Sequence, residues 1–339
     1  MTGNPDTPLR PRSSLFLCSA TCVLVLLVAS IAITGLWVTQ PVWVRCGPPI
    51  PTADPVRLQA HVRMLSESFF PRSSDDTTNL ARCATYISQQ FATAGAQVST
   101  QQYRAGTQKF DNVIGRFGPS TGACVIVGAH YDACGREPAA DDNASGIAGV
   151  LELARLLGRG PAPATTVLLV TYCTEEPPYF ATPGMGSYQH AKLLKRTGVA
   201  VKAMISVEMI GRFDDRFMSQ TYPAPLLYAI YPSRGNYVSV IGDITSRTLI
   251  RSVKTGMKRG TDLPIWSASL PRRIPGVYFS DHRNYREFGF PAVMVTDTAM
   301  YRNHDYHQSA DTCDRLDFIR MAKVVDGLLE AVRTQCKVK

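Results

Sequence analysis

Two adjacent acidic residues, Glu175 and Glu176, follow an apolar stretch of the sequence. That stretch, residues 165–170, is rich in β-branched side chains and is typical of a buried strand. In open α/β sheets, the carboxyl ends of the strands carry the reactive groups. Two carboxylates that converge at such a turn can divide the chemistry, since one can bind a metal ion while the other accepts a proton. Taken alone, the pair is more often a solvated acidic loop, so its interpretation depends on the rest of the chain.

A histidine and an aspartate follow a second apolar run, residues 124–129. His130 and Asp132 are two positions apart, so their side chains share a face of an extended backbone. A carboxylate that orients a metal-binding imidazole is a common arrangement. An ordinary hydrogen bond at a strand end explains the pair more simply when the pair is taken alone.

Two consecutive acids, Asp141 and Asp142, precede a helical run at residues 147–157. Acids in front of a helix commonly cap it, but capping does not explain two of them in a row near other strand ends. Glu208 ends a further apolar run, residues 201–207, and His307 lies in a late polar loop. These segments together predict that carboxylates and imidazoles from several strand ends meet at one site.

The elements that must position these residues alternate between strand and helix along the chain. This alternation predicts an α/β fold with a mixed, largely parallel central sheet and helices on both faces. The chain has 339 residues, of which 45% are hydrophobic and 19% are charged, as expected for a packed globular domain. The net charge of +9 is spread along the sequence, and the densest basic region lacks interleaved aromatic residues, so we expect no nucleic-acid partner.

Residues 15–38 contain no charged side chain over 24 positions, against the roughly 20 that span a bilayer. Arg10 and Arg12 precede this segment, which favours an N-terminus inside the cell. We therefore expect a short cytoplasmic tail (1–14), one transmembrane helix (15–38), a Pro-rich tether (39–55) and an extracytoplasmic domain (56–339). A cleaved signal peptide is the alternative for the apolar segment. Because a tether contributes no core, a chain that starts near Pro55 is expected to fold.

The pattern resembles the co-catalytic zinc aminopeptidases of the bacterial leucyl aminopeptidase and aminopeptidase Y type, over roughly residues 56–335. The motifs that carry the resemblance are Gly-Ala-His-Tyr-Asp at 128–132, Asp-Asp-Asn-Ala-Ser-Gly at 141–146, Glu-Glu at 175–176, the strand end at 207–211, and the late loop at 301–307. The resemblance implies an enzyme that uses two Zn²⁺ ions to remove the first residue from peptides with a free N-terminus.

The resemblance also assigns a role to each residue of the site. Asp141 would bridge the two ions and would be joined to Asp142 by a cis peptide bond. His130 and Glu208 would complete one metal site, and Glu176 and His307 the other. Glu175 would be the general base, and Asp132 would orient His130. The family usually carries Asp at the position of Glu208, a departure that keeps the carboxylate but lengthens its side chain.

Two other functions on the same fold stay open at this point. Glutaminyl-cyclase-like members use a single zinc ion and keep many of the same acids, whereas receptor-like ectodomains tend to lose ligands. The intact motif at 141–146 favours the peptidase over the first, and the complete set of ligand positions favours it over the second.

Overall fold

The computed structural model describes residues 13–44 and 52–337. Within these ranges the chain forms a single sheet of eight strands. The strands are β1 (Gln97–Ala105), β2 (Gln108–Phe117), β3 (Cys124–His130), β4 (Thr166–Tyr172), β5 (Val201–Glu208), β6 (Val238–Asp243), β7 (Ile265–Leu270) and β8 (Ala292–Thr296).

The strands lie in the order β1-β2-β4-β3-β5-β8-β6-β7 across the sheet. The centre is parallel, because β3 pairs with β4 and β5, and β5 pairs with β8, in the same direction. The pairs β1–β2, β2–β4 and β6–β8 are antiparallel. The predicted mixed, largely parallel sheet is confirmed.

Helices cover both faces of this sheet, as predicted. They are α1 (Ser13–Thr39), α2 (Pro55–Arg63), α3 (Thr77–Thr93), α4 (Gly146–Arg159), α5 (Gly186–Arg196), α6 (Arg247–Gly260), α7 (His282–Glu287) and α8 (Phe318–Lys337). A large core forms where α2, α3, α4, α6 and α8 pack on one face, and a smaller core forms under α5 and α7 on the other.

Strand β3 shows why its sequence is almost continuously apolar. Val125 and Val127 belong to the larger core, while Cys124 and Ile126 belong to the smaller one. A central parallel strand is buried on both faces, so both sets of alternate positions must be apolar. The polar residue that ends this run, His130, therefore marks the edge of the core.

The C-terminal end of α1 packs against the globular domain. Val38 is buried in a cluster with Leu227, Tyr231 and Ala268. The backbone carbonyls that close the helix meet a buried lysine, because Nζ of Lys254 donates to O of Thr39 at 2.7 Å and to O of Gln40 at 3.3 Å. Carbonyls at a helix C-terminus lack intrahelical donors, so this ammonium stabilises the end of α1.

The segment expected to be a tether, residues 39–55, makes further contacts on either side of its undescribed part. Val42 and Ala53 are buried, and the backbone N–H groups of Thr52 and Ala53 both donate to Oδ1 of Asp326 at 3.0 Å. The described parts of this segment are thus packed on the domain, and the expectation that it contributes no core is wrong. Residues 45–51 of the predicted tether, and 1–12 of the predicted tail, lie outside the described residues.

Candidate active site

Three neighbouring strands end at one edge of the sheet, and each brings a polar side chain to it. His130 is the last residue of β3, Glu208 is the last residue of β5, and Glu175 and Glu176 follow β4 within four residues. Since β4, β3 and β5 are adjacent and parallel, these ends lie side by side. All four side chains are at least nine-tenths buried.

A turn of π-helix, Ala140–Ser145, adds an acidic residue to this edge. Asp142 breaks the helical geometry with φ −103° and ψ 90°. Its Oδ1 lies 3.4 Å from Nε2 of His130, and its Oδ2 lies 3.1 Å from Nε2 of His307. Asp142 therefore places one carboxylate oxygen beside each of the two histidines.

Asp141, the residue predicted to bridge two ions, lies outside this cluster. Its Oδ1 accepts from the backbone N–H of Gly211 at 3.0 Å, and its Oδ2 accepts from Nδ2 of Asn303 at 3.1 Å. The backbone changes direction between the two acids, so the side chain of Asp142 faces the two histidines while that of Asp141 faces Gly211 and Asn303. The prediction for Asp141 is wrong, and the cis peptide bond joins Asp142 to Asn143 instead of Asp141 to Asp142.

Asp132 contacts both His130 and the acidic turn after β4. Its Oδ1 lies 3.5 Å from Nδ1 of His130, the position expected of a residue that orients the ring. The same carboxylate accepts the backbone N–H groups of Glu175 and Glu176, at 3.1 and 3.0 Å. Asp132 thus links the end of β3 to the turn that follows β4, a structural role that the sequence did not reveal.

The ligand-type atoms form two groups that meet at Asp142. In one group, Nε2 of His130 lies 3.4 Å from Oδ1 of Asp142 and 3.4 Å from Oε1 of Glu208. In the other, Nε2 of His307 lies 3.1 Å from Oδ2 of Asp142 and 3.2 Å from Oε2 of Glu176. Nitrogen and oxygen ligands at these separations suit Zn²⁺.

An orphaned atom supports a metal ion in the second group. Glu176 is 4% exposed, and its Oε1 is buried without a hydrogen-bond partner among the described residues. A buried carboxylate oxygen without a donor is costly unless a cation compensates it. The residues present therefore fit the metal that the sequence resemblance implies.

The pKa values of the site follow from burial and crowded charge. Burial raises the pKa of Glu175 well above its usual range, the positive charge of His130 opposes this shift, and the charge of Glu176 adds to it. Burial lowers the pKa of His307, but hydrogen bonds to Asp142 and Glu176 outweigh burial and raise it to about 10. The acids outnumber the two imidazoles, and a divalent cation is the natural counter-charge.

Two supporting residues were not singled out from the sequence. Oγ of Ser280 donates to Oε2 of Glu208 at 2.7 Å and fixes the longer carboxylate. Arg72 is fully buried, and its guanidinium donates to the backbone oxygens of Tyr131 at 2.9 Å and Ala139 at 2.8 Å. An arginine far from every motif in sequence gives no local sign of such a role.

An apolar cavity opens beside the cluster. It encloses about 760 Å³ of space not filled by protein atoms, part of it open to solvent. Glu208 and Tyr306 line it beside the cluster. The rest of its lining is mostly apolar and includes Tyr222, Ile241, Ala268 and Met294. The ring of Tyr306 stacks on that of His307, with centroids 3.8 Å apart. The polar cluster and the apolar cavity therefore share a wall.

Comparison with known sequences gives consistent matches. The model of peptidase family M28 matches residues 112–332. An uncharacterised protein of Escherichia coli K12, YfbL, is 44% identical over 299 residues, which cover 86% of this chain and 91% of that protein. A probable leucine aminopeptidase of Arthroderma otae is 30% identical over 246 residues, 66% of this chain but 59% of the relative's length.

Solved structures share the fold at low sequence identity. The LapA aminopeptidase of Legionella pneumophila superposes with a TM-score of 0.67 at 19% identity, covering 85% of this chain and 71% of that one. A glutaminyl cyclase of Bacteroides thetaiotaomicron superposes with a TM-score of 0.64 at 16% identity, covering 86% of this chain and all of that one. At these identities the structures bear on the fold alone. The family model matches most of the chain, and the chain therefore belongs to peptidase family M28 and is a metallopeptidase of that family.

Proposed function

We propose that the protein is a membrane-anchored aminopeptidase that uses two zinc ions and a glutamate base to remove N-terminal residues from peptides. The observation that carries the proposal is the position of Asp142 between two ligand groups, with one oxygen toward each. A carboxylate shared in this way is what two metal ions about 3.5–4 Å apart require. His130 and Glu208 would complete one site, and Glu176 and His307 the other.

Glu175 is the residue best placed to move protons. Its Oε2 lies 4.0 Å from Nε2 of His130, so it borders the ligand cluster without a closer contact to either histidine. Bound zinc lowers the pKa of a coordinated water and polarises the peptide carbonyl oxygen. Glu175 would accept the proton of the attacking water and deliver it to the nitrogen of the leaving peptide. Asp132 fixes the direction of Glu175 through the backbone N–H groups that it accepts.

The apolar cavity would receive the side chain of the residue that is removed. It adjoins the cluster through Glu208 and Tyr306, so a peptide with its reacting bond at the cluster can place a neighbouring side chain inside the cavity. Its inner lining is aliphatic and aromatic, which favours large apolar residues over charged ones. The free amino group of the substrate would be held by the carboxylates of the cluster, which is why cleavage would start at the N-terminus.

A test of the mechanism is the variant Glu175→Gln. The amide keeps the size of the side chain but accepts no proton, so kcat on an aminoacyl substrate should fall by about 10²–10⁴-fold. Zinc content should stay at that of the unmodified protein, because Glu175 is not assigned as a ligand. Glu287→Gln, an exposed acid paired with Arg283 at 3.8 Å on α7, is the matched control and should leave kcat unchanged. Near-normal turnover in Glu175→Gln would remove this residue from the mechanism.

A single-zinc glutaminyl cyclase is the second candidate, and the shared fold supports it. The two functions differ in metal count and in product. A peptidase binds two zinc ions per chain and releases a free amino acid, whereas a cyclase binds one and converts N-terminal Gln to a ring with loss of ammonia. Zinc analysis and one assay with Leu- and Gln-terminated peptides separate them. A protein that binds no zinc and turns over neither peptide would instead match the receptor-like alternative.

The membrane part of the proposal rests on α1. Residues Thr21–Thr39 are long and apolar enough to cross a bilayer, and 6% of the most apolar window is buried against the protein, unlike a core helix. A signal sequence passes the same test of length and composition. The arginines at positions 10 and 12 favour an extracytoplasmic catalytic domain. Protease added outside intact cells should therefore degrade the domain, and protection of a domain that is cleavable once released would refute this orientation.

A further inference from the structure

Cys134 lies beside the second ligand group. Its Sγ, a carboxylate oxygen of Glu176 and a ring nitrogen of His307 all lie within 4.8 Å of one another. We infer that Cys134 supplies a sulfur ligand to the metal ion held by Glu176 and His307, an inference that rests on the metal centre proposed above. The first ligand group, His130, Asp142 and Glu208, contains only nitrogen and oxygen.

The loop that carries Cys134 is held in place from below. The backbone N–H of Ala133 donates to O of Arg72 at 3.0 Å. The buried guanidinium of Arg72 binds the backbone oxygens of Tyr131, Pro138 and Ala139, which flank Cys134 on both sides. These hydrogen bonds hold the backbone on both sides of Cys134, so the thiol lies beside the cluster on an ordered loop.

A second observation at the same place points to a ligand. Glu176, one of the three members of the group, is nearly fully buried and keeps Oε1 without a hydrogen-bond partner among the described residues. Its other oxygen, Oε2, lies 3.2 Å from Nε2 of His307. A carboxylate oxygen of Glu176, a ring nitrogen of His307 and the thiol of Cys134 converge within 4.8 Å, and these are the kinds of atom that bind zinc.

The chemistry of the set differs from that of the first group. On binding, the thiol gives its proton to solvent and the thiolate forms the metal bond. The group would then offer one sulfur, one nitrogen and one carboxylate oxygen, three ligands of the kinds that zinc binds, and would leave a position open for water or substrate. Thiolate also favours soft ions, so Cd²⁺ should prefer this group over the group of His130 and Glu208.

X-ray absorption on the intact zinc-loaded protein tests the assignment directly. We expect a zinc–sulfur distance of about 2.3 Å besides nitrogen and oxygen at about 2.0–2.1 Å, with about half a sulfur per zinc when two ions are bound. Cys134→Ser should lose the sulfur shell, and the zinc ion held by Glu176 and His307 should bind at least about 10-fold less tightly in competition with a chelator. Cys336→Ser, a half-buried cysteine on α8, is the matched control and should keep both properties.

The outcomes also distinguish this inference from the function on which it rests. Two zinc ions per chain without a sulfur shell would overturn the role of Cys134 and leave the two-zinc peptidase intact. A sulfur shell that persists in Cys134→Ser would assign the sulfur to another cysteine and refute the inference. Absence of bound zinc from the unmodified protein would overturn both. Because the unmodified protein alone decides whether sulfur is bound, a variant that fails to fold does not rescue the inference.

Discussion

The neighbouring acids Asp141 and Asp142 should respond in opposite ways to the same substitution. Asp142→Asn replaces a carboxylate whose two oxygens lie 3.4 and 3.1 Å from the two histidines. Outer partners of metal ligands alone contribute about 10–100-fold to affinity, so loss of a shared ligand should weaken each zinc site by at least about 100-fold. Zinc content after dialysis against graded chelator measures this, and peptide hydrolysis should fall with it.

Asp141→Asn is the matched control one residue away. Burial raises the pKa of Asp141 well above its usual range, and the neighbouring charge of Asp297 adds to the shift. Asn keeps the shape of the side chain and one of its two acceptor oxygens, so at most one of the hydrogen bonds from Gly211 and Asn303 is lost. The free energy of unfolding should fall by only about 1 kcal/mol, and both zinc ions should remain. If Asp141→Asn lost zinc while Asp142→Asn kept it, the assignment drawn from the structure would be reversed.

Three further predictions concern the rest of the molecule. Glu208→Asp should keep zinc at both sites, because the carboxylate remains, but it should lose the hydrogen bond from Ser280 and about 1 kcal/mol of unfolding free energy in denaturant titrations. A chain that starts at Pro55 should have a free energy of unfolding about 4–9 kcal/mol lower than that of the full chain, because it lacks the buried Val38 and Val42 and the hydrogen bonds of the Lys254 ammonium. Replacing Lys254 by Met in that shorter chain should recover part of the loss. Equal denaturation midpoints for the short and the full chain would refute the packing of α1 on the domain. In chelator-treated protein, the pKa of His307 is raised from 6.5 to about 10, so its protonation stabilises the folded state fully below pH 6.5. This stabilisation is lost as the pH rises from 6.5 through about 10, and the melting temperature should fall over the same range. His307→Gln should make the melting temperature depend less on pH in this range.

The strand ends of the site were predictable from the sequence, and the direction of individual side chains was not. His130, Glu175 and Glu208 each end or follow an apolar run, and runs of this kind must be central strands in an α/β sheet. Which of two adjacent acids faces the site depends on backbone angles inside a turn, where Asp142 leaves the helical region. No periodicity in the sequence predicts this change of backbone angles at Asp142. The resemblance to a family did not predict it either, since it assigned the shared ligand to Asp141.

Contacts between distant segments were also beyond sequence reasoning. Apolar composition identified α1, but its docking depends on a lysine more than 200 positions away. Cys134 was not predicted as a ligand, because its partners Glu176 and His307 lie 42 and 173 positions away in the sequence. Ligands this far apart do not form a short motif that sequence analysis could recognise. Tertiary proximity alone gives these residues their chemistry.

The lysine cap on α1 has a mechanical consequence. A membrane helix joined to its domain by a flexible linker lets the domain sweep a range of heights and tilts. Here Val38 at the end of α1 packs on Tyr231 and Ala268, and both of these residues also line the apolar cavity. If α1 lies in a bilayer, this packing would hold the cavity near the membrane surface at the end of α1. The proposed peptidase would then act on peptides whose N-termini lie close to the membrane surface, and peptides far above that surface would be out of its reach.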